Sequence, residues 1–255
     1  MTKLSASAFS ASDPSLLQTF EGQSVEGRPF LGERDVHVWL SSDAQFSTSD
    51  AFLRRVLSCY AAVNPLQWRF SRGEHGKPAL KDAQADLDFN VSHSGDRLAC
   101  AVTRGASVGV DLERCHAERD VMRLARRFFG AEEVAALEDC AVALRRDRFY
   151  DYWTLKEAAV KCRGQTLVSG LKSRAFAVEF GSAVALDGRI AVTSIGQTDV
   201  ASYCLLDPFP EYRLAVCCLP EIHRKAQIQI QLLELCYTGA IALLNAPLRA
   251  SSSWE

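Results

Sequence analysis

Apolar and polar positions alternate with a period of two over several short runs. Val36 to Leu40, Asp88 to Ser92, Leu98 to Thr103 and Ser107 to Leu112 have the length and the apolar content of strands, and Ser94-Gly95-Asp96 supplies a turn between the second and third. Between these, Ala51 to Val63 follows a helical period with Phe52, Val56, Leu57 and Tyr60 along one side and Asp50 placed as an N-cap. Helical patterns return over Asp120 to Phe129, Glu132 to Leu144 and a segment containing Trp153 to Cys162. Strand patterns follow at Ala175 to Phe180, Ile190 to Ser194, Ser202 to Leu206 and Arg213 to Cys218.

This order predicts an α+β protein of two similar subdomains, each a small, mainly antiparallel sheet packed with helices. The expected units are an irregular segment over residues 1–34, rich in Ser, Gly and charge, an N-terminal subdomain over 35–115 and a C-terminal subdomain over 116–220. An extension over 221–255 contains the apolar stretch Leu232 to Leu244, which reads as a terminal helix covering a core edge. A membrane-surface role for that stretch lacks the strongly charged opposite face it requires.

Composition narrows the partners. The 255 residues carry a formal net charge of -2, and the pI is near 6.2, so there is no basic field to attract nucleic acid, and any polyanion must meet a local cluster. Nine scattered cysteines, with only Cys217 and Cys218 adjacent and no C-x-x-C pair, fit reduced thiols and a cytoplasmic setting rather than a zinc site. Neither a secretory signal nor a membrane-length apolar run is expected from the pattern.

The candidate chemistry is concentrated in two places. Asp111 and Glu113 are two apart near the end of a predicted strand, so both carboxylates fall on one side of the sheet, either as ligands for a hard cation or as a solvated strand end. In the helix of residues 150 to 163, Trp153, Glu157 and Lys161 recur at i, i+4, with Lys156 about 100° to one side. One carboxylate between two ammonium groups can hold a cation and a polyphosphate together, or be an ordinary salt pair. Ser92-His93-Ser94-Gly95 offers hydroxyl and backbone donors suited to phosphate, or a polar hairpin turn. Lys77 follows Gly76 and precedes Pro78 on a turn, Glu133 begins a helix, and Phe128-Phe129 is either core or a docking patch.

Taken in order, these motifs resemble the 4′-phosphopantetheinyl transferases of the longer, monomeric, surfactin-type class. The carriers, between about Arg69 and Leu219, are Gly76-Lys77-Pro78, Phe89-Asn90-Val91-Ser92-His93-Ser94, Val108-Gly109-Val110-Asp111-Leu112-Glu113, Arg127-Phe128-Phe129 with Glu133, and Trp153-Thr154-Leu155-Lys156-Glu157 with Lys161. The resemblance implies two similar subdomains with a site between them, and an enzyme of the holo-[acyl-carrier-protein] synthase type. Such an enzyme moves the phosphopantetheine arm of coenzyme A to a serine of an apo acyl or peptidyl carrier protein and releases 3′,5′-ADP. By position it implies Asp111, Glu113 and Glu157 as magnesium ligands, and Lys156 and Lys161 at the pyrophosphate. Lys77, Ser92 and His93 would contact coenzyme A phosphates, and Glu133 with Lys161 would serve as the acid–base pair. The carrier protein is expected to dock near Phe128 and Phe129.

One departure stands out. Family members place a basic, aromatic segment between the first strand and first helix, and its cations help bind the 3′-phosphate end of coenzyme A. Here only Ser41 to Asp50 separates Leu40 from Ala51, and Asp35 to Leu53 contains no Lys or Arg. Arg28, Arg34, Arg54 and Arg72 are the candidate substitutes. The competing readings are a catalytically weak or inactive member that still binds carrier protein and coenzyme A, and a magnesium-dependent hydrolase acting on coenzyme A.

Overall fold

The computed structural model describes residues 29–33, 35–42, 46, 48–81, 85–116, 118–166, 170–172, 174–179, 189–194, 200–220, 229–235, 241–244 and 248–251. Two sheets lie face to face with helices on their outer sides. The first has strand order β12-β11-β1-β5-β4, where β1 is Asp35–Ser42, β4 is Asp88–Ser94, β5 is Arg97–Thr103, β11 is Gln229–Leu235 and β12 is Ile241–Leu244. The second runs β6-β10-β9-β13-β8-β7, with β6 Ala106–Arg114, β7 Arg174–Glu179, β8 Arg189–Ser194, β9 Ser202–Leu206, β10 Tyr212–Pro220 and β13 Leu248–Ser251. A small hairpin of β2 (Phe70–Arg72) and β3 (Pro78–Leu80) stands apart, turning through Gly76, whose φ of 86° is left-handed.

Alternation along each strand divides the core into three layers. Val36, Val38 and Leu40 of β1 and Ala99 and Ala101 of β5 meet Val108, Val110 and Leu112 of β6 and Leu214, Val216 and Cys218 of β10 between the sheets. Trp39, Cys100 and Val102 point the other way, onto Phe52, Leu53, Val56 and Leu57 of α1 (Ser49–Leu57). On the far side of the second sheet, Tyr203, Leu205, Ala215 and Cys217 pack against Phe149, Leu155, Ala158 and Ala159 of α4 (Val142–Cys162). Each fully buried Leu, Val or Phe in these layers contributes roughly 1.5–3 kcal/mol of transfer free energy. The predicted α+β class with small, mainly antiparallel sheets and packed helices is what forms.

Several elements differ from expectation. Helix α1 starts two residues earlier than predicted and ends at Leu57; Thr48 caps it through the Ala51 N–H, while Asp50 pairs with Arg54 at 2.6 Å instead. The helix expected over Glu132 to Leu144 is α3 (Ala131–Asp139) plus the first turn of α4, following α2 (Val121–Phe128). The break is held by Arg145 of α4, whose guanidinium donates to the α3 carbonyls of Leu137 at 2.8 Å and Glu138 at 3.0 Å.

Within the extension over 221–255, where a helix was expected, the described residues form the strands β11, β12 and β13. Gln229 to Leu235 runs parallel to β1, from Asp35↔Gln229 to Leu40↔Glu234. Its Leu232 enters the inter-sheet layer while Leu233 and Leu235 enter the α1 layer, so both faces are buried and the apolar run is nearly continuous. Periodicity cannot separate such a strand from a buried helix. β6, which lies within the expected 35–115 unit, pairs with β10 and so belongs to the second sheet. Residues 1–28 and 34, expected to be irregular, lie outside the described residues. Among the described residues no helix is long and apolar enough to cross a membrane.

Candidate active site

The seam between β6 and α4 gathers the acidic residues. Alternation sends Val108, Val110 and Leu112 into the inter-sheet core and leaves Gly109, Asp111 and Glu113 toward α4. Gly109 permits direct contact between the two elements: a Cβ there would lie 2.1 Å from the Ala158 carbonyl oxygen and 2.4 Å from the Cys162 nitrogen. With the helix this close, Lys161 Nζ donates to Asp111 Oδ1 at 2.6 Å and to Ser92 Oγ at 3.1 Å.

The electrostatics of the seam are those of two buried carboxylates, Asp111 and Glu157, beside the partly buried Glu113 and Lys161. Burial, then Asp111 and Glu113, push the Glu157 carboxyl up to about 7, against the pull of Lys161. Burial and Asp111 likewise raise Glu113, opposed by Arg119, by the Ser94 hydrogen bond and by Lys161. Burial alone would lower Lys161, but Asp111, Glu157 and Glu113 outweigh it and hold the ammonium above its ordinary range. Asp111 is 3% exposed, and its Oδ2 is buried with no hydrogen-bond partner.

That orphaned oxygen and the all-oxygen donor set suit a hard divalent cation, which takes a few carboxylates and completes its shell with water and substrate oxygens. Among the described residues no group of three His, Cys, Asp or Glu side chains is arranged to hold a metal as it stands. The ammonium of Lys161 meanwhile neutralises Asp111.

A second feature fixes the seam. The outward-facing N–H groups of β6 have no strand partner; side chains of β4 receive them in a ladder of constant offset. Val108 N donates to Asp88 Oδ2 at 2.7 Å, Val110 N to Asn90 Oδ1 at 3.0 Å, Leu112 N to Ser92 Oγ at 3.1 Å and Arg114 N to Ser94 Oγ at 3.0 Å. Polar groups thus satisfy an otherwise open sheet edge. Sequence reading missed Asp88 and Asn90, although polar residues at every even position of β4 were the available signal.

Of the expected site residues, the structure brings Ser92, Asp111, Glu113, Glu157 and Lys161 together. Lys77 sits at the opposite end of the ladder, donating to Asp88 Oδ2 at 2.8 Å and to the carbonyls of Val108 at 3.0 Å and Cys162 at 3.4 Å. His93 is exposed, one position out of phase with Ser92 and Ser94 on β4.

Glu133 and Lys156 do not join the seam. They form an ion pair of 2.8 Å with both side chains 1% exposed. Glu133 also accepts the N–H groups of Phe176 at 2.9 Å and Gly130 at 2.8 Å, and Lys156 donates to the carbonyls of Leu171 at 2.7 Å and Arg174 at 2.6 Å. Burial lowers the Lys156 ammonium, and the Glu133 carboxylate opposes that shift. Phe129 is core, stacked on Phe149 with centroids 5.2 Å apart, while the partly buried Phe128 meets Trp153 edge-on at 5.8 Å.

Comparison with known proteins points one way. Residues 107–217 match the profile of the 4′-phosphopantetheinyl transferase superfamily. The chain is similar to the 4′-phosphopantetheinyl transferase HetI of Nostoc sp., 37% identical over 122 residues, which are 47% of this chain and 52% of HetI. Over that match the chain spans about half the length of the relative. It is also similar to the 4′-phosphopantetheinyl transferase Sfp of Bacillus subtilis, 31% identical over 193 residues, covering 74% of this chain and 77% of Sfp. A third relative, AcpT of Salmonella typhimurium, is 40% identical over 103 residues, 40% of this chain and 53% of AcpT. With a match that reaches across both sheets and through the β6–α4 seam, this chain belongs to the 4′-phosphopantetheinyl transferase superfamily.

Proposed function

We propose that this chain transfers the 4′-phosphopantetheine arm of coenzyme A to a serine of an apo acyl or peptidyl carrier protein, with magnesium, releasing 3′,5′-ADP. The observation that carries this reading is the β6–α4 seam, where Asp111, Glu113 and Glu157 surround Lys161 and Asp111 Oδ2 is left without a partner.

In the proposed reaction the serine oxygen bonds to the phosphorus bearing the pantetheine arm. The bond from that phosphorus to the oxygen of the departing 3′,5′-ADP breaks, and the serine proton leaves to a base. Magnesium, when bound, would neutralise the charge that grows on the phosphate oxygens. Asp111, Glu113 and Glu157 would hold it. Lys161 would exchange Asp111 for the leaving phosphate, a step that stabilises the transition state more than the ground state. Ser92 and His93, on β4 beside the seam, would contact coenzyme A, and Lys77 would have to trade a carbonyl for a phosphate to join them.

Glu133 and Lys156 are assigned a different task from the one the family resemblance implies. With both Glu133 oxygens and the Lys156 ammonium engaged, the proposed role of the pair is to fix α3 and β7 against α4, in place of base and phosphate contact.

A second reading, a member that binds but transfers weakly, draws on the candidate substitutes for the missing basic segment. Arg54 is spent on Asp50, on the Trp68 carbonyl at 2.7 Å and over the Phe70 ring at 4.9 Å, and Arg72 donates to the Gly76 carbonyl. Arg28 and Arg34 lie outside the described residues.

Intact mass of an apo acyl carrier and an apo peptidyl carrier, each incubated with this protein, coenzyme A and magnesium with and without chelator, separates the readings. The expected result is a chelator-sensitive gain of one phosphopantetheine arm, and the carrier that gains it tests the holo-[acyl-carrier-protein] synthase assignment. Release of 3′,5′-ADP without any carrier would favour hydrolysis. Coenzyme A binding without transfer to either carrier would favour the weak member.

A further inference from the structure

The four rungs of the β4–β6 ladder differ in a way that follows the carboxylates. Each rung accepts one β6 amide, and the residue before that amide is Ser107, Gly109, Asp111 or Glu113 in turn. Where the preceding residue has no carboxylate, the rung is Asp88 or Asn90. Where it has one, the rung is a serine: Ser92 donates to Asp111 Oδ1 at 3.1 Å, and Ser94 donates to Glu113 Oε2 at 3.2 Å. A hydroxyl accepts and donates at once, so it can receive the backbone N–H and give its own proton to the neighbouring carboxylate. An aspartate in that place would present only acceptors and a repelling charge.

We propose that Ser94 is a positioning residue for Glu113. Tied to the Arg114 amide, its hydroxyl fixes one Glu113 oxygen and leaves the other to face the seam. Arg119, whose Nη1 lies 3.9 Å from the same Oε2, marks the same oxygen as the one turned away from a cation. The inference rests on the reading of the seam as a divalent-cation site. It extends that reading to a residue that touches neither cation nor substrate.

The test is Mn2+ binding, followed by electron paramagnetic resonance of the free ion in the presence of coenzyme A, alongside coenzyme A affinity and melting temperature. Mn2+ is the probe because it takes the same oxygen ligands as magnesium. Ser94→Ala is expected to weaken Mn2+ binding about tenfold, the lower end of the effect of removing a partner that orients a metal ligand. Coenzyme A affinity should stay within about twofold in the metal-free protein, and Ser94→Thr should restore Mn2+ binding. Asn90→Ala, which removes a rung beside Gly109, should leave it unchanged. Wild-type Mn2+ affinity in Ser94→Ala overturns the proposal, and so does equal weakening by Asn90→Ala, which would make the ladder a general support. Absence of Mn2+ binding in the wild-type protein overturns the cation reading itself and this inference with it.

Discussion

Lys156 Nζ lies 2.8 Å from Glu133 Oε2 in a setting where each side chain is 1% exposed. Removing one partner of such a pair leaves an uncompensated buried charge, at about 3–5 kcal/mol, whereas replacing both by apolar groups of similar volume is often neutral. Lys156→Met is therefore expected to lower stability by that amount, and Lys156→Met with Glu133→Leu to recover much of it. Urea denaturation of the two singles and the double reads the coupling. A double variant that is folded but transfers nothing would return the pair to the chemistry.

Glu157 carries the opposite balance. Burial, Asp111 and Glu113 raise its carboxyl to about 7, above the usual carboxylate range, so the unfolded chain gives up this proton at lower pH than the folded one. For a raised acid the linkage makes the metal-free protein lose stability as pH climbs from the unfolded value toward 7. Glu157→Gln removes that loss. The variant is expected to be more stable than wild type at pH 7.5 without metal, by on the order of 2 kcal/mol, while transfer activity disappears. Thermal melts at pH 5 and pH 7.5, with the gain confined to the higher pH, check the sign.

Gly109 holds the helix on the strand. A methyl group there meets backbone atoms of Ala158 and Cys162 at 2.1 and 2.4 Å, and backbone cannot rotate out of the way. Gly109→Ala should cost about 3 kcal/mol or more and lift Glu157 and Lys161 from Asp111. Circular dichroism melts and a transfer assay on the surviving folded fraction should both fall; unchanged melting would show that α4 can shift without loss.

His37 gives the first sheet an acid sensitivity. Its Nδ1 lies 2.8 Å from the Tyr60 hydroxyl, which also accepts the Trp39 indole N–H at 2.6 Å, and its Nε2 is buried without a partner. Burial drives the imidazole down to about 4, with Asp35 opposing. The unfolded histidine binds its proton at higher pH, so stability is complete above the ordinary value of 6.5 and is lost as pH falls toward 4, by up to about 3 kcal/mol. Denaturation at pH 7 and pH 4.5 should show a steeper acid loss in wild type than in His37→Gln.

Much of the seam is legible in the sequence. Period two over Ser107 to Leu112 put Asp111 and Glu113 on one face, and the i, i+4 spacing put Glu157 and Lys161 on another, so their meeting needed only the small residue at Gly109. Lys156 was not readable, because its partner Glu133 is on another helix and nothing in a local window shows that a lysine has entered the core. The C-terminal strand escaped for a different reason: a run buried on both faces erases the alternation by which strands are recognised. The β4 ladder left its mark in the sequence, but a polar residue at every second position of an edge strand ordinarily means solvent.

The pairing of β1 with β11 joins Asp35 to Gln229 and Leu40 to Glu234, so the first of the described strands waits for a partner far along the chain. Closing so long a loop is costly before its contacts form, and ladders of this separation slow folding. β1 and β5 are close enough in sequence to pair early, whereas the other edge of β1, along Val38 and Trp39, is covered only by β11. Without β11 that edge of β1 would be an unpaired template for other strands, so removing Gln229–Leu235 is expected to favour aggregation.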